Sequence, residues 1–395
     1  MIRLHIHGIP HTITTNEYSH CAFTGKVLRF SPMMISRGFE VYHYGVETST
    51  PNATKNIDLL TKDEWKKLRV ESYKVLHPEL TEEVIIQKLN DTKAFVGDLG
   101  NVGTPLYTEF NKRFRVAIQE NYRSSKTDIV CLPFGHSVEQ ALAGLNYLAV
   151  ETGIGYPGSF KDFRIFESYC KLHVTLTKEK KLCQHYWFVI PNYYNVLEWP
   201  LSLNPDKNKV GYFGRIGNIK GCNIIVEVAK KFPNVSFVLC GQGDPTEYLV
   251  QPNIIYKPPI HGTDRGDFLG SLVALMAPTM YLEPFCGVNV EAQLCGTPVI
   301  TNECGAFVET VEPFKTGMFC HTLADFSVAI QMALDDKFDR KYISERATRL
   351  YDMYNVGKRY EYAFKTMLDV YNGKNGFYSP DSYIELLEPI KEITG

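Results

Sequence analysis

At 395 residues the chain is long for one domain and comfortable for two. Its 42 Lys and Arg against 44 Asp and Glu give a formal net charge of −2, so it lacks the basic excess typical of proteins that bind polyanions. The ten cysteines form no C-x-x-C pair, which argues against a zinc ribbon or a disulfide framework. With no signal-peptide pattern after Met1 and no apolar run near the ~20 residues of a membrane span, we expect a cytoplasmic protein.

The first half of the chain alternates predicted strands and helices, the pattern of an α/β fold. Strands are predicted at Leu4–His7, Glu40–Tyr44, Asp128–Leu132, Tyr147–Glu151, His173–Leu176 and Phe188–Ile190. A helix is expected over Phe23–Arg37. Residues 45–125 interrupt the alternation with a polar loop at Ser49–Asn56, helices near 62–76, 81–90 and 107–124, and a glycine-marked turn at 97–105.

The second half opens with a βαβ unit that follows a proline-containing linker or hinge at 198–209. Strands are predicted at Val210–Phe213 and Ser236–Cys240, with a helix between them. The glycine-punctuated loop Gly214–Gly221 carries two cations, Arg215 and Lys220. Because this loop lies at the carboxyl edge of a parallel sheet, the two cations can neutralise a diphosphate without a metal ion.

Two carboxylates stand eight residues apart in YLEPFCGVNVEAQLCGTPVI, the segment 281–300. The Pro-Phe-Cys-Gly sequence between them predicts a helix start, which places Glu283 just before the N-terminus and Glu291 about one turn inside. Free N–H groups at a helix N-terminus attract anions, whereas carboxylates accept hydrogen bonds from hydroxyls. Together they suit a ligand with both a diphosphate and sugar rings.

These segments resemble the retaining glycosyltransferases of family 4, which have the GT-B fold of two Rossmann-like domains facing a cleft. The family's Gly-Arg…Lys-Gly loop is matched at Gly214-Arg215 and Lys220-Gly221, and its Glu-x7-Glu motif at Glu283 and Glu291. The following Ala-x-x-x-Gly-x-Pro-Val-Ile pattern is matched over 292–300. Cys286 departs from the family, which usually has glycine there.

The resemblance implies a domain organisation. Residues 1–200 would form an acceptor-binding domain with an insertion at 45–125, and residues 205–350 a nucleotide-sugar-binding domain. The helices of 351–395 would return to the first domain. The activity implied is transfer of a sugar from a UDP- or GDP-sugar to a hydroxyl of a glycan, lipid or small molecule, with retention and without a metal or other cofactor; peripheral membrane contact stays open.

The expected site residues divide by role. Arg215 and Lys220 would stabilise the leaving diphosphate, Glu283 would hold sugar hydroxyls, and Glu291 would hold the nucleotide ribose. Glu151, at a predicted strand end, is expected to position the donor sugar or support its cationic centre. Further substrate contacts are expected from Gly287, Val288, Asn289, Gly214, Thr24, Gly25 and His136.

Other functions stay open at this point. A nucleotide-sugar epimerase would need no acceptor, and a phosphorylase of related shape would need inorganic phosphate. A non-catalytic nucleotide-sugar-binding protein is a third alternative, and transfer to hydroxylated bases in DNA a fourth. The cluster of His5, His7 and His11 lacks neighbouring Cys, Asp or Glu in the sequence, so we predict no metal site there and expect His7, His11 or His20 to touch the acceptor.

Overall fold

The computed structural model describes residues 1–19, 21–90, 99, 102–260 and 262–373. The chain divides into two compact units. The first unit contains Met1–Glu167, Leu172–Tyr193 and, within the described residues, 353–373. The second contains Ser168–Lys171 and Tyr194–Asp352. This division falls a few residues before the predicted boundary at 200–205.

The strands and helices are numbered in chain order. The strands are β1 Arg3–His7, β2 Glu40–Val46, β3 Lys55–Leu60, β4 Asp128–Leu132, β5 Ala149–Ile154, β6 Phe163–Phe166, β7 Trp187–Val189, β8 Asp206–Phe213, β9 Ser236–Cys240, β10 Ile254–Lys257, β11 Leu272–Ala277, β12 Val299–Thr301 and β13 Gly317–Phe319. The helices are α1 Ala22–Ser36, α2 Lys62–Leu76, α3 Glu82–Asn90, α4 Pro105–Asn121, α5 Tyr169–Glu179, α6 Cys222–Ala229, α7 Thr263–Ser271, α8 Gly287–Leu294, α9 Phe307–Thr310, α10 Leu323–Leu334, α11 Arg340–Tyr351 and α12 Met353–Tyr371.

The first unit is built on a parallel sheet of seven strands in the order β3-β2-β1-β4-β5-β6-β7. Strand β1 is central, and Leu4 and Ile6 on it are buried against α1 and α12. Helix α12 buries Tyr360, Phe364 and Met367 at the spacing of one helical face, so this part of 351–395 lies in the first unit. The remainder of the tail lies outside the described residues.

Two predictions for the first unit are wrong. Residues 173–176 are helical within α5, because Leu172 and Leu176, one turn apart, pack on the cluster around Ile154 and Phe166. The strand expected at 173–176 is instead β6 at 163–166, which pairs with β5 on one side and β7 on the other. The polar loop at 49–56 ends in strand β3, an edge strand whose first residues are exposed and therefore read as loop.

The second unit is a parallel sheet of six strands in the order β10-β9-β8-β11-β12-β13. The chain order reverses between β8 and β11, so the loops after these two strands flank a topological switch point. The polar end of the predicted linker, 206–209, belongs to β8, where Lys209 pairs with Ser236 of β9. The molecule therefore has two parallel-sheet α/β domains.

Candidate active site

The loop after β8 closes tightly on the loop after β11. Gly221 has φ of 79°, and a Cβ at this position would lie 2.0 Å from the carbonyl oxygen of Pro278. Only glycine combines this left-handed conformation with so close an approach. The N–H of Met280 donates to the carbonyl of Ile219 over 2.9 Å, which ties the loops together beside Lys220.

Lys220 meets two side chains of the second loop. Its Nζ lies 2.9 Å from Glu283 Oε2 and 2.5 Å from the hydroxyl of Tyr281. Burial alone would lower the pKa of Lys220, but the charge of Glu283 and the bond to Tyr281 raise it above its ordinary value. The ammonium is therefore charged. Tyr281 and Glu283 take two of its three N–H donors, and the third can serve a further anion.

Arg215 lies near the start of the same loop and is exposed. Among the described residues its guanidinium forms no ion pair. Its carbonyl accepts a hydrogen bond of 2.5 Å from Tyr212, which fixes the backbone after Gly214. The backbone that carries Arg215 is thus fixed, while the guanidinium donors are free for a ligand.

Helix α8 begins at the second loop with an unusual cap. Cys286 precedes the helix with φ of 64° and ψ of 77°, a left-handed conformation that glycine adopts without strain. Within the described part of the chain, the N–H groups of Gly287 and Val288 have no acceptor, as expected for a helix N-terminus. The N–H of Asn289 instead donates to the carbonyl of Cys286 over 3.1 Å.

The side chain of Asn289 is fully buried and serves the helix. It donates to the Thr310 hydroxyl over 2.6 Å and accepts from Gln293 over 2.6 Å. The expectation of a substrate contact at Asn289 therefore applies at most to its backbone, and that N–H is already used within the turn.

Glu291 lies about one turn inside α8 and forms an ion pair with Arg265 of α7. Both side chains are largely buried, and the Arg265 guanidinium carbon lies 4.5 Å from the centre of the Phe213 ring. The carboxylate is held through Oε2, whereas Oε1 lies on the side of Gly287, 3.8 Å from where a Cβ of that residue would be. An oxygen remains that can accept a hydrogen bond at the N-terminus of α8.

Four side chains thus form two largely buried ion pairs in the loops and helices that follow β8, β10 and β11. Each carboxylate keeps one cation beside it, so removing either member leaves a buried charge unpaired. The pairs flank a helix N-terminus with two free N–H groups. This set of donors and acceptors suits an anion joined to hydroxylated groups.

Sequence reasoning missed Tyr281 and Arg265. Tyr281 stands two residues before Glu283 in the loop after β11, and no motif marks it. Arg265 belongs to no sequence motif, and its contact with Glu291 depends on the packing of α7 against α8.

The other expected site residues lie in the first unit. Glu151 is fully buried at β5, and its Oε2 accepts the N–H groups of Phe160 and Lys161, each over 2.8 Å. Burial, only partly offset by these N–H groups, raises its pKa to about 7. Glu151 thus anchors the loop after β5, and its action on a sugar stays a prediction.

Thr24 and Gly25 lie in the first turn of α1. The Thr24 hydroxyl is buried 2.5 Å from that of Thr12, and the Gly25 N–H donates to the carbonyl of Cys21 over 2.9 Å. The Gly25 N–H is therefore not free for a diphosphate, contrary to expectation. His136 is about half exposed and lies 3.1 Å from Glu139, with its ring stacked on Phe160.

The histidines of β1 are structural. His5 bonds Tyr44 and Asp128, and His7 bonds Asn111 over 2.9 Å; both are fully buried. Burial lowers the pKa of His7 to about 4, so its ring is neutral. His7 is thus not placed to touch an acceptor, and the nearly buried His11 bonds the Tyr107 hydroxyl. His20 lies outside the described residues.

The described residues show neither a metal-ligand cluster nor a membrane-spanning helix. No three His, Cys, Asp or Glu side chains in this part of the chain are grouped so as to hold a metal ion. None of the described helices combines the length and hydropathy needed to cross a bilayer.

Comparison with known proteins supports a glycosyltransferase assignment. Residues 196–350 match the family described as Glycosyl transferases group 1. An uncharacterised glycosyltransferase of Methanocaldococcus jannaschii is 26% identical over 187 residues, 43% of this chain and 48% of that protein. The D-inositol 3-phosphate glycosyltransferase of Mycobacterium leprae is 29% identical over 150 residues, 34% of this chain and 35% of that one. The chain thus spans about half or less of the length of these relatives.

Solved structures share the whole fold. Sucrose-phosphate synthase from Thermosynechococcus elongatus aligns with 94% of this chain and 100% of its own at a TM-score of 0.64, with 15% identity. HepE of Anabaena, in complex with UDP and glucose, aligns with 93% of this chain and 100% of its own at a TM-score of 0.59, also with 15% identity. At such identities the likeness establishes the GT-B fold.

Proposed function

We propose that the protein is a retaining glycosyltransferase that moves a sugar from a nucleotide-diphosphate sugar to a hydroxyl acceptor. One observation carries the proposal: the ion pairs Lys220–Glu283 and Arg265–Glu291 flank a helix N-terminus beside the switch point of a parallel sheet. The family match over 196–350 covers all four residues. The structure of HepE with UDP and glucose supports a UDP-sugar as donor.

The roles follow from the charges that transfer creates. As the bond between the anomeric carbon and the diphosphate breaks, negative charge grows on the leaving group. Lys220, the exposed Arg215 and the free N–H groups of Gly287 and Val288 are preorganised donors for that charge. Because they supply positive charge themselves, the reaction needs no metal ion, and EDTA should leave activity largely intact.

The two carboxylates would bind different parts of the donor. Glu283, held beside Lys220, would accept bonds from hydroxyls of the sugar. Glu291, held by Arg265 inside α8, would accept bonds from the ribose. Retention would follow from attack of the acceptor on the face that the diphosphate leaves, with the leaving phosphate taking the acceptor's proton.

The test is a panel of UDP-, GDP-, ADP- and dTDP-sugars incubated with the full chain, with and without hydroxylated acceptors. We expect slow hydrolysis of one donor and faster transfer once a suitable acceptor is present. NMR of the product should show the anomeric configuration of the donor. Turnover that needs no acceptor and returns an epimer, or binding without turnover of any donor, would contradict the proposal.

Matched variants separate chemistry from folding. Arg215→Ala and Lys220→Met should each lower transfer by about a hundredfold. Lys230→Met is the control, since Lys230 forms an exposed pair with Glu227 over 2.6 Å in the same βαβ unit. Arg215→Ala should leave the melting temperature unchanged because the side chain is exposed and unpaired among the described residues.

A further inference from the structure

Helices α2 and α3 of the first unit enclose a groove of about 740 Å³. Cationic side chains of α2 line it, chiefly Lys66, Arg69 and Lys74, together with apolar side chains of both helices. None of these residues belongs to the candidate active site. The groove therefore calls for a separate explanation.

Arg69 is the central feature of this groove. It is only 7% exposed, yet among the described residues it has no carboxylate partner. One N–H donates to the carbonyl of Leu89 over 3.3 Å, the guanidinium carbon lies 4.3 Å from the centre of the Trp65 ring, and Nε has no acceptor in the described part of the chain. Buried arginines are normally paired. Within the part of the chain that the structure describes, Arg69 lacks a counter-ion.

The charge around Arg69 is also incompletely compensated. Four cations line the groove against two carboxylates, Glu71 and Glu82. Lys66 stands 4.0 Å from Asp63, at the limit of an ion pair, and Lys74 forms no ion pair among the described residues. Both lysines are exposed and free to turn toward a ligand. The lining side chains therefore carry a net positive charge, which favours an anion in the groove.

The rest of the lining is apolar. Val75 is 65% exposed and Ile86 is 40% exposed, on either side of the partly buried Val70. A purely ionic ligand would leave these side chains in water. A ligand that also carries hydrocarbon would cover them, at about 25 cal/mol per Å² of apolar surface removed from water.

We propose that the groove between α2 and α3 binds an anionic amphiphile, with a phosphate on Arg69 and its hydrocarbon over Val70, Val75 and Ile86. The planar guanidinium suits the bidentate recognition of phosphate, and Lys66 and Lys74 add charge at the rim. The inference concerns the first unit alone and does not depend on the transfer reaction.

Calorimetric titration of the full chain with octyl phosphate, inorganic phosphate and octanol tests this. Octyl phosphate should bind at least about tenfold more tightly than either part alone. Arg69→Met, which keeps an apolar side chain against Trp65, should weaken that binding at least about tenfold. Lys62→Gln, on the same helix but outside the groove, is the matched control and should change nothing.

A second variant tests the proposal even if Arg69→Met fails to fold. Lys66→Gln combined with Lys74→Gln alters only exposed side chains and should also weaken octyl phosphate binding about tenfold. Failure of the wild type to bind octyl phosphate, equal binding of inorganic phosphate, or binding that survives the lysine substitutions would overturn the proposal. If the protein sediments with phosphatidylglycerol vesicles but not with phosphatidylcholine vesicles, and the double variant does not sediment, the phosphate belongs to a lipid headgroup. If the protein binds octyl phosphate but does not sediment with vesicles, the ligand is a free amphiphile.

Discussion

Cys286 occupies a backbone conformation that costs a residue with a Cβ about 1 kcal/mol. Its φ of 64° at the cap of α8 is one that glycine adopts freely. We therefore expect Cys286→Gly to be about 1 kcal/mol more stable than Cys286→Ala, which also lacks the thiol but keeps the Cβ. Urea unfolding of the two variants measures the difference. Equal or reversed stabilities would show that packing at this position outweighs backbone strain.

Arg265 should act through Glu291. Arg265→Met frees a carboxylate that is otherwise held on α8, so the apparent KM for the donor should rise roughly tenfold with a smaller change in kcat. Because the two side chains form one ion pair, adding Glu291→Gln to Arg265→Met should cost little more than either change alone. Steady-state kinetics of the three variants check this; fully additive effects would mean that Arg265 acts independently.

At the residue scale, motif spacing was sufficient to select Lys220, Glu283 and Glu291, which the structure brings to one region of the second unit. It was insufficient for Arg265, whose contact depends on helix packing. It also could not foresee that Glu151 is used by two backbone N–H groups, because burial of a strand-end carboxylate is decided by the loop that folds over it.

The loop between β8 and α6 depends on one glycine and tolerates change at another. Gly221→Ala would place a Cβ 2.0 Å from the Pro278 carbonyl oxygen at φ of 79°. We expect a loss of about 2 kcal/mol of stability or more, together with displacement of Lys220 and lower kcat. At Gly217 the backbone is extended and a Cβ would meet nothing within 4 Å, so Gly217→Ala is the control. Similar behaviour of the two variants in unfolding and kinetics would contradict this account of the loop.

Glu151 should make stability fall with rising pH. Its pKa is about 7 in the folded chain against an ordinary 4.5, so between these values the folded protein keeps a proton that the unfolded chain releases. The stability of the wild type relative to Glu151→Gln should therefore decline from pH 4.5 to above pH 7, by about 3 kcal/mol. Urea unfolding of both proteins at pH 5, 6, 7 and 8 measures it. Parallel profiles would refute the assignment.

At the element scale, apolar runs between glycine loops predicted the central strands well. Strand β9 was placed residue for residue at 236–240. The errors fall where a short pattern fits two structures. The run at 173–176 is rich in β-branched and apolar residues, but its leucine pair one turn apart packs as a helix in α5. The edge strand β3 needs partners on one side only, so its outer residues can be polar.

For the molecule as a whole, the sequence predicted two parallel-sheet domains because each half repeats strand–loop–helix units. The limits of the units were harder to predict, since the division at Tyr193 and Tyr194 lies within a continuous run of aromatic and polar residues. The role of residues 45–125 could also not be predicted from the sequence. The groove between α2 and α3 depends on how two amphipathic helices pack, which no motif records.

We propose that the second unit holds a nucleotide sugar with Glu291 on the nucleotide and Glu283 on the sugar. Calorimetric titration with the nucleoside diphosphate of the preferred donor, using Glu283→Gln and Glu291→Gln, tests it most directly. Glu291→Gln should weaken nucleotide binding, at least about tenfold for loss of a charged acceptor. Glu283→Gln should leave nucleotide binding near that of the wild type while turnover falls. Loss of nucleotide affinity in Glu283→Gln but not in Glu291→Gln would contradict the placement of the donor on α8.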